Sequence, residues 1–518
     1  FSRWPGGPCP YPAMRWWLIP LVAACPDCPA HLELLQRSLT LKRASAPSLS
    51  FLEKCSGWDC LKEYVSTDDG AFHWHVTPKV MSGPGWKGSV LEMTSQRWLS
   101  NFVTPDTWNH TLVVITPSNV TQDLCLLYAA LGFYGSVNAS STSVSSSDED
   151  VRAAAEIAIA ARRHTVVLFN VPAEYLALKK PGQVPTQPLV EDGSLSASWA
   201  SFKDSHGALA PLLLELPMTK AAIKAMDVIG QFLKIQSFVL MGTSKRGLLC
   251  WNTASVDPRV RGIVSIARPL NLRAVLRRTQ KELGGFPVAA KPYFEKGLLG
   301  NYLDSVTGQS FLNITDPYFY LPRVSSISKF VINAGNDDFF VPDNAKDWWQ
   351  AVPGPKWMLT VPNSKHIVGG AQVRELAPMI SAFLQADLQL PTVTWSVEED
   401  GAIVARADGV ASPPQVRLWQ ADSCDSHRMD FRFVSARAEV CPCGHGTSEG
   451  CESQGVEWRS THLSSDGAWR VRPNVTEGHW TAFFLSFQWP GGAQISTEVS
   501  VVPTQLPFHC YDSCEGIV

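Results

Sequence analysis

Between about residue 60 and residue 390 the chain repeats one pattern, a short apolar run followed by a longer stretch with helical spacing. The runs are Thr111–Thr116 (TLVVIT), Leu124–Leu131 (LCLLYAAL), Thr165–Val171 (TVVLFNV), Phe238–Met241 (FVLM), Val260–Ala267, Lys329–Ala334 (KFVINA) and Trp357–Val361 (WMLTV). Strand-sized runs separated by helix-sized intervals belong to a mainly parallel sheet with helices on both faces. Of the intervals, Asp150–Arg163 is alanine-rich, and Thr219–Leu233 places Ala222, Met226, Ile229 and Leu233 on one stripe, with Thr219 as its expected N-cap. Leu270–Pro322 lacks this regularity and is expected to cap the C-terminal edge of the sheet.

After Pro391 the texture changes. Thr392–Glu398, Gln415–Ala421, Asp430–Val434, Trp480–Trp489 and Ile495–Val502 are short β-branched or aromatic runs set between Gly, Pro, Ser and Asp. That spacing predicts an all-β sandwich of the fibronectin or immunoglobulin kind. A chain of 518 residues exceeds one ordinary core. The expected division is therefore 61–390 for the α/β domain, with its cap around 270–322, and 391–518 for the sandwich.

The N-terminal part reads as a secretory leader. Met14-Arg15 precedes the apolar Trp16–Ala24 (WWLIPLVAA), and Val22-Ala23-Ala24 supplies small residues for cleavage. Residues 1–24 are then upstream segment and signal peptide, and 25–60 a cysteine-containing lead. Val22-Ala23-Ala24-Cys25 also fits bacterial lipid attachment, but the rest of the chain favours a eukaryotic secreted glycoprotein. Sequons stand at Asn109, Asn119, Asn138, Asn313 and Asn474. Most of the 13 Cys fall in close sets, Cys25/Cys28, Cys55/Cys60, Cys424/Cys441/Cys443/Cys451 and Cys510/Cys514, as disulfides in an oxidising compartment do. Cys125 and Cys250 sit in apolar runs and are expected as buried free thiols. The C-x-C start of Cys441-Pro-Cys443-Gly-His445 misses the usual zinc spacings, so no metal is expected. A net charge of −3 carries no footprint for nucleic acid, and beyond the leader no apolar stretch has the length of a membrane span.

Chemistry points to Phe238–Leu249, FVLMGTSKRGLL. Gly242-Thr243-Ser244-Lys245-Arg246-Gly247 has the form of a nucleophile elbow, except that Arg246 stands where the second glycine of G-x-S-x-G belongs. A serine hydroxyl is a weak nucleophile until a base takes its proton, and a third group must orient that base. Parallel-sheet hydrolases carry these groups in the order Ser, acid, His, on loops after successive strands. Here Ser244 follows Phe238–Met241, Asp337 and Asp338 follow Lys329–Ala334, and His366 follows Trp357–Val361. Each alone is unremarkable. Their joint order and strand-end placement make a triad of Ser244, His366 and one of the acids Asp337 and Asp338 the expectation, with no cofactor required.

Longer motifs accompany these residues: MTSQRWL (Met93–Leu99), WNHTL (Trp108–Leu112), LPMTKAAIKAMD (Leu216–Asp227), GTSKRG (Gly242–Gly247), DPRVRGIV (Asp257–Val264), DPYFYLPR (Asp316–Arg323), DDFFVPD (Asp337–Asp343) and VPNSKH (Val361–His366). In these stretches the chain resembles the PhoPQ-activated pathogenicity-related protein family, whose elbow also places a basic pair after the serine. The resemblance implies an α/β-hydrolase fold followed by a β-sandwich, with Ser244, Asp337 and His366 as catalytic residues. Asp338 is the fallback acid and Asp343 a weaker one. The backbone N–H of Lys245 would be one oxyanion donor, and the loop after Leu124–Leu131, at Phe133, the other.

That loop departs from the family. Where the family carries a glycine-rich G-G-G-S-N stretch, this chain reads Gly132-Phe133-Tyr134-Gly135-Ser136-Val137-Asn138. Glu191-Asp192 matches an acidic pair of the family, expected either as exposed carboxylates in a turn or, in an aminopeptidase-like enzyme, as a clamp for a substrate amine. The expected function is a secreted serine hydrolase acting on a small ester or peptide. The alternative is a secreted signalling or binding protein on the same scaffold, meeting a protein partner through the sandwich, since the family is associated with virulence and growth control rather than one agreed reaction.

Overall fold

The apolar runs assemble as one sheet. In the computed structural model its strands are β1 (His73–Gly83), β2 (Trp86–Arg97), β3 (Thr107–Pro117), β4 (Thr121–Ala129), β5 (Arg163–Leu168), β6 (Phe238–Thr243), β7 (Val260–Ile266), β8 (Ser328–Ala334) and β9 (Lys356–Val361). Their spatial order is β1-β2-β3-β5-β4-β6-β7-β8-β9. The first three pairings are antiparallel, and all those from β5 to β9 are parallel. An antiparallel entry leading into a parallel sheet with helical crossovers is the α/β-hydrolase fold. The residues described are 55–130, 143–178, 187–367, 369–408, 414–424, 426–433, 446–447, 450–451, 456–464, 467–509, 514 and 516–518. Outside them lie the leader, Cys25 and Cys28, the loop with Phe133 and Asn138, and Cys441, Cys443, His445 and Cys510.

Strand side chains alternate between two cores because successive residues of a strand point to opposite faces. Phe238 and Leu240 enter one core, with Ala222, Met226 and Ile229 of the helix Glu215–Leu233. Val239 and Met241 enter the other, with Ala154, Ile157 and Ala158 of the helix Glu149–Ala161 and Ile380 and Phe383 of the helix Ala377–Gln385. Every residue of β6 is buried, as expected for a central strand covered on both sides.

Several expectations are corrected. The helix of LPMTKAAIKAMD begins at Glu215, not Thr219; Pro217 sits in its first turn, where a missing N–H costs nothing. Thr219 bonds back to the Glu215 carbonyl at 2.8 Å and is no cap. Leu270–Pro322 is helical, with α-helices at Leu272–Leu283 and Val306–Thr315 and several shorter turns. The described part of the Asp430–Val434 run, residues 430–433, is not a strand: Asp430 turns back to hold Arg432 at 2.6 Å, and Val434 lies outside the described residues. Glu191–Asp204 is a helix where a turn was expected at its start.

The C-terminal strands are β10 (Thr392–Val397), β11 (Ile403–Asp408), β12 (Gln415–Asp422), β13 (Arg459–Leu463), β14 (Ala468–Val471), β15 (Thr481–Gln488), β16 (Gln494–Ser496) and β17 (Ser500–Val502). They form a three-stranded sheet, β10-β11-β14, and a five-stranded one, β13-β12-β15-β16 with β17 also on β15. Ile403, Phe487 and Trp489 share an apolar core with Leu359 and Phe383 of the α/β part. Cys55 and Cys60 are joined to each other, Cys424 and Cys514 each take part in a disulfide, and Cys125 and Cys250 are free and buried. No described helix is long and apolar enough to cross a membrane.

Candidate active site

Parallel strands in matching register bring their C-terminal ends to one edge. Thr243 is the Cα partner of Ile266, and Ile266 of Ile332, while Ala334 partners Val361. Ser244, Asp337 and His366 leave the sheet from this edge.

Ser244 joins β6 to the helix Lys245–Val256 at φ 53° and ψ −122°, a conformation that L residues rarely adopt and that turns chain direction abruptly. Its N–H holds the Ile266 carbonyl of β7 at 2.8 Å. The turn explains the glycines on either side. A Cβ on Gly242 would lie 2.5 Å from the Arg246 carbonyl oxygen, and backbone cannot yield there. A Cβ on Gly247 would come within 3.0 Å of Ser265 Oγ and 3.2 Å of the Ile266 oxygen. Close approach of helix to strand is thus made at residue 247, which leaves position 246 able to carry a long side chain.

Arg246 is fully buried, and Glu191 receives it with both oxygens, at 2.6 and 3.2 Å. Lys245 Nζ reaches the same carboxylate at 2.7 Å and Asp192 at 3.2 Å, and Tyr293 donates to Asp192 at 2.8 Å. Burial alone would push the Glu191 carboxyl up, but Arg246 and then Lys245 hold it well below the usual range. The neighbouring Glu174 goes the other way: burial, then the Glu191 charge, push it up to about 8. The acidic pair is therefore neither an exposed turn nor, in Glu191, a free clamp. It braces the elbow.

The DDFFVPD motif builds the next part. Asp337 Oδ1 accepts the backbone N–H groups of Phe339 and Phe340 at 2.8 and 3.1 Å, which leaves Oδ2 to meet His366 Nδ1 at 2.8 Å. The two phenyl rings lie against the imidazole, with centroids 4.7 and 6.0 Å away. Asp338 is placed differently, taking the His366 backbone N–H at 3.3 Å. Asp343 is fully buried and engaged by Lys346 at 3.1 Å and Arg278 at 3.4 Å. Burial pushes the imidazole pKa down, yet the Asp337 charge and hydrogen bond outweigh it and the net shift is upward; the Lys245 charge opposes them. Nε2 is buried with no hydrogen-bond partner among the described residues. The structure thus joins His366 to Asp337, and it sets Ser244 at the same sheet edge without a hydrogen bond to that ring.

Lys245 opens the helix, where the first amides have no intrahelical partner. A second feature has no local signal in the amino-acid order: the C-terminal region holds these loops. Asn336 Nδ2 donates to the Phe431 and Val456 carbonyls, both at 2.8 Å. Asn363 exchanges bonds with the Trp458 backbone at 2.7 and 3.0 Å, and Trp458 Nε1 reaches the Gly335 carbonyl at 3.2 Å. Among the described residues no group of His, Cys, Asp and Glu could hold a metal. Asn109, Asn119, Asn313 and Asn474 are exposed.

The chain is similar to several known proteins. The chain is 26% identical over 494 residues to autocrine proliferation repressor protein A of Dictyostelium discoideum, covering 88% of this chain and 93% of that one. Among solved structures, an acetyl xylan esterase of a Thermoanaerobacterium species aligns with TM-score 0.39 and 14% identity, over 62% of this chain and 94% of its own. A glucuronoyl esterase of Solibacter usitatus gives 0.37 and 14%, over 67% and 93%. Residues 61–432 match the family described as PhoPQ-activated pathogenicity-related protein, a span that holds the elbow, the acid and the histidine, and the chain belongs to that family.

Proposed function

We propose that this protein is a secreted serine hydrolase that transfers an acyl group from a small ester or peptide to water. The observation that carries the reading is the 2.8 Å contact between Asp337 and His366 Nδ1, which leaves a buried Nε2 with nothing yet to accept from. Ser244, held at positive φ on the same sheet edge, is the group that needs such a base. In the reaction Ser244 Oγ attacks the carbonyl carbon and its proton passes to Nε2, a contact that free enzymes commonly tighten only with substrate. The Lys245 amide meets the developing oxyanion. His366 then returns the proton to the leaving group, and water repeats the sequence on the acyl-serine. Exposed sequons and disulfides at Cys55, Cys60, Cys424 and Cys514 support secretion.

The growth-control name of the Dictyostelium relative favours a second reading, a secreted signal whose scaffold catalyses weakly or not at all. A fluorophosphonate probe separates them. Labelling of the folded wild type that disappears in Ser244→Ala and drops steeply in His366→Ala is expected; an unlabelled wild type would sink the hydrolase.

A further inference from the structure

Arg163, Arg246, Arg268 and Arg432 are the buried arginines of the described residues. Carboxylates hold three of them: Asp123 and Asp387 take Arg163, Glu191 takes Arg246, and Asp430 takes Arg432. Arg268 makes no hydrogen bond or ion pair with any described residue, and its Nε is shut off from solvent without an acceptor. A guanidinium stays charged at any working pH, so removing it from water without a partner is costly. A ligand that supplies an anion removes that cost.

Its place in the fold says where the ligand would be. Arg268 leaves β7 two residues after Ile266, between the strand that ends at Ser244 and the strand that leads to Asp337. Its Cβ lies 3.1 Å from where a Cβ on Gly247 would stand, so the side chain starts against the first turns of the elbow helix. Its charge is felt by Glu215, Tyr293 and Asp316. Tyr293 belongs to the brace that reaches Lys245 through Asp192.

Glu215 and Asp316 are both bonded elsewhere and make no ion pair with Arg268. Glu215 bonds Trp199 Nε1 at 2.8 Å, and burial pushes its carboxyl up to about 7. The carboxylate oxygens of Asp316 accept the backbone N–H groups of Asn271, Leu272 and Tyr318, at 3.3, 2.8 and 3.0 Å.

We infer that Arg268 recognises a carboxylate on the substrate, so that the ester cleaved at Ser244 is an acidic one with a free carboxylate near its scissile carbonyl. This rests on Ser244 being the nucleophile. A guanidinium suits the task because its planar fork matches the two oxygens of a carboxylate.

The experiment compares kcat/KM of the full chain for 4-nitrophenyl hemisuccinate and 4-nitrophenyl butyrate, which differ chiefly in one terminal carboxylate. The wild type should prefer the acidic ester by about ten- to hundredfold, the range of a charge-assisted hydrogen-bond pair. That ratio should collapse in Arg268→Met and persist in part in Arg268→Lys. A ratio equal in wild type and Arg268→Met, with Ser244 still labelled by fluorophosphonate, overturns the role of Arg268 and leaves the hydrolase standing. Absent labelling and absent hydrolysis bring down both. Should Arg268→Met fail to fold, competition decides: succinate should inhibit butyrate-ester hydrolysis far better than succinamide, and equal inhibition overturns the inference.

Discussion

Glu191 receives Arg246 with both carboxylate oxygens while the same carboxylate holds Lys245, so the first two residues of the elbow helix share one anchor. The two cations gain their partner from a helix far away in sequence, Glu191–Asp204. Removing that partner takes the shared carboxylate from buried Arg246 and from Lys245, which keeps Asp192. Glu191→Gln is expected to lower stability by about 3–5 kcal/mol, the cost of breaking a buried pair from one side. Urea unfolding measures it, and a loss under about 1 kcal/mol would show that the brace is not structural.

The two neighbouring acids should separate sharply. Asp337 holds Nδ1, whereas Asp338 holds a backbone amide. Asp337→Asn disturbs the tautomer and the charge behind the base, so kcat is expected to fall by about a thousandfold or more, with KM nearly kept. Asp338→Asn should cost less than about tenfold, because an amide oxygen can still accept the N–H. Equal losses would move the acid's role elsewhere.

The pH dependence has a definite direction. His366 must be neutral to accept the proton, and its folded pKa lies above its ordinary value because Asp337 outweighs burial. The acid limb of kcat/KM should therefore have its midpoint above about 6.5 and move down in Asp337→Asn. The sign for stability is opposite. The charged pair stabilises the fold below the ordinary histidine pKa, and that contribution is lost as pH rises through the raised one. A wild-type acid limb centred below about 6 would contradict the pairing.

The C-terminal region should matter to rate as well as to folding. Asn336 precedes the acid and bonds two carbonyls of that region. Asn336→Ala is expected to cost about 1–3 kcal/mol of stability, since two buried acceptors lose their donor. It should also lower kcat more than it raises KM, by about tenfold, as the Asp337 turn loosens. Thermal melts beside steady-state kinetics test this, and unchanged kcat in a destabilised protein would confine the clamp to folding.

Much of this was legible from short-range signals. Both-faced apolar runs such as FVLM locate central strands because burial on two sides leaves no room for polar residues, and GTSKRG together with VPNSKH marks two of the turns at the working edge. The misses share a physical cause. Glu191-Asp192 looks like a solvated turn because charged residues usually are, and only a distant Lys245-Arg246 pair makes burial tolerable. Asp430–Val434 alternates like a strand, but Asp430 is held by Arg432 and Phe431 gives its carbonyl to Asn336. β1 and β2 went unseen because the long β1–β2 hairpin is exposed on much of β1, with Val80 in the open. Nothing in local sequence announces Arg268, whose significance lies in what does not touch it.

The clamp on Asn336 and Asn363 also has a consequence for how the protein is made. Its donors and acceptors at Phe431, Val456 and Trp458 leave the ribosome well after the last strand of the large sheet, Lys356–Val361. Chains emerge at about 5–20 residues per second, so seconds separate a threaded sheet from a finished working edge. During that interval the Asp337 turn lacks the bonds that Asn336 makes to the C-terminal region. A product ended near residue 390 by truncation or proteolysis would keep that unfinished state permanently. The last quarter of the chain therefore decides when, and whether, the sheet edge that carries Ser244, Asp337 and His366 is secured.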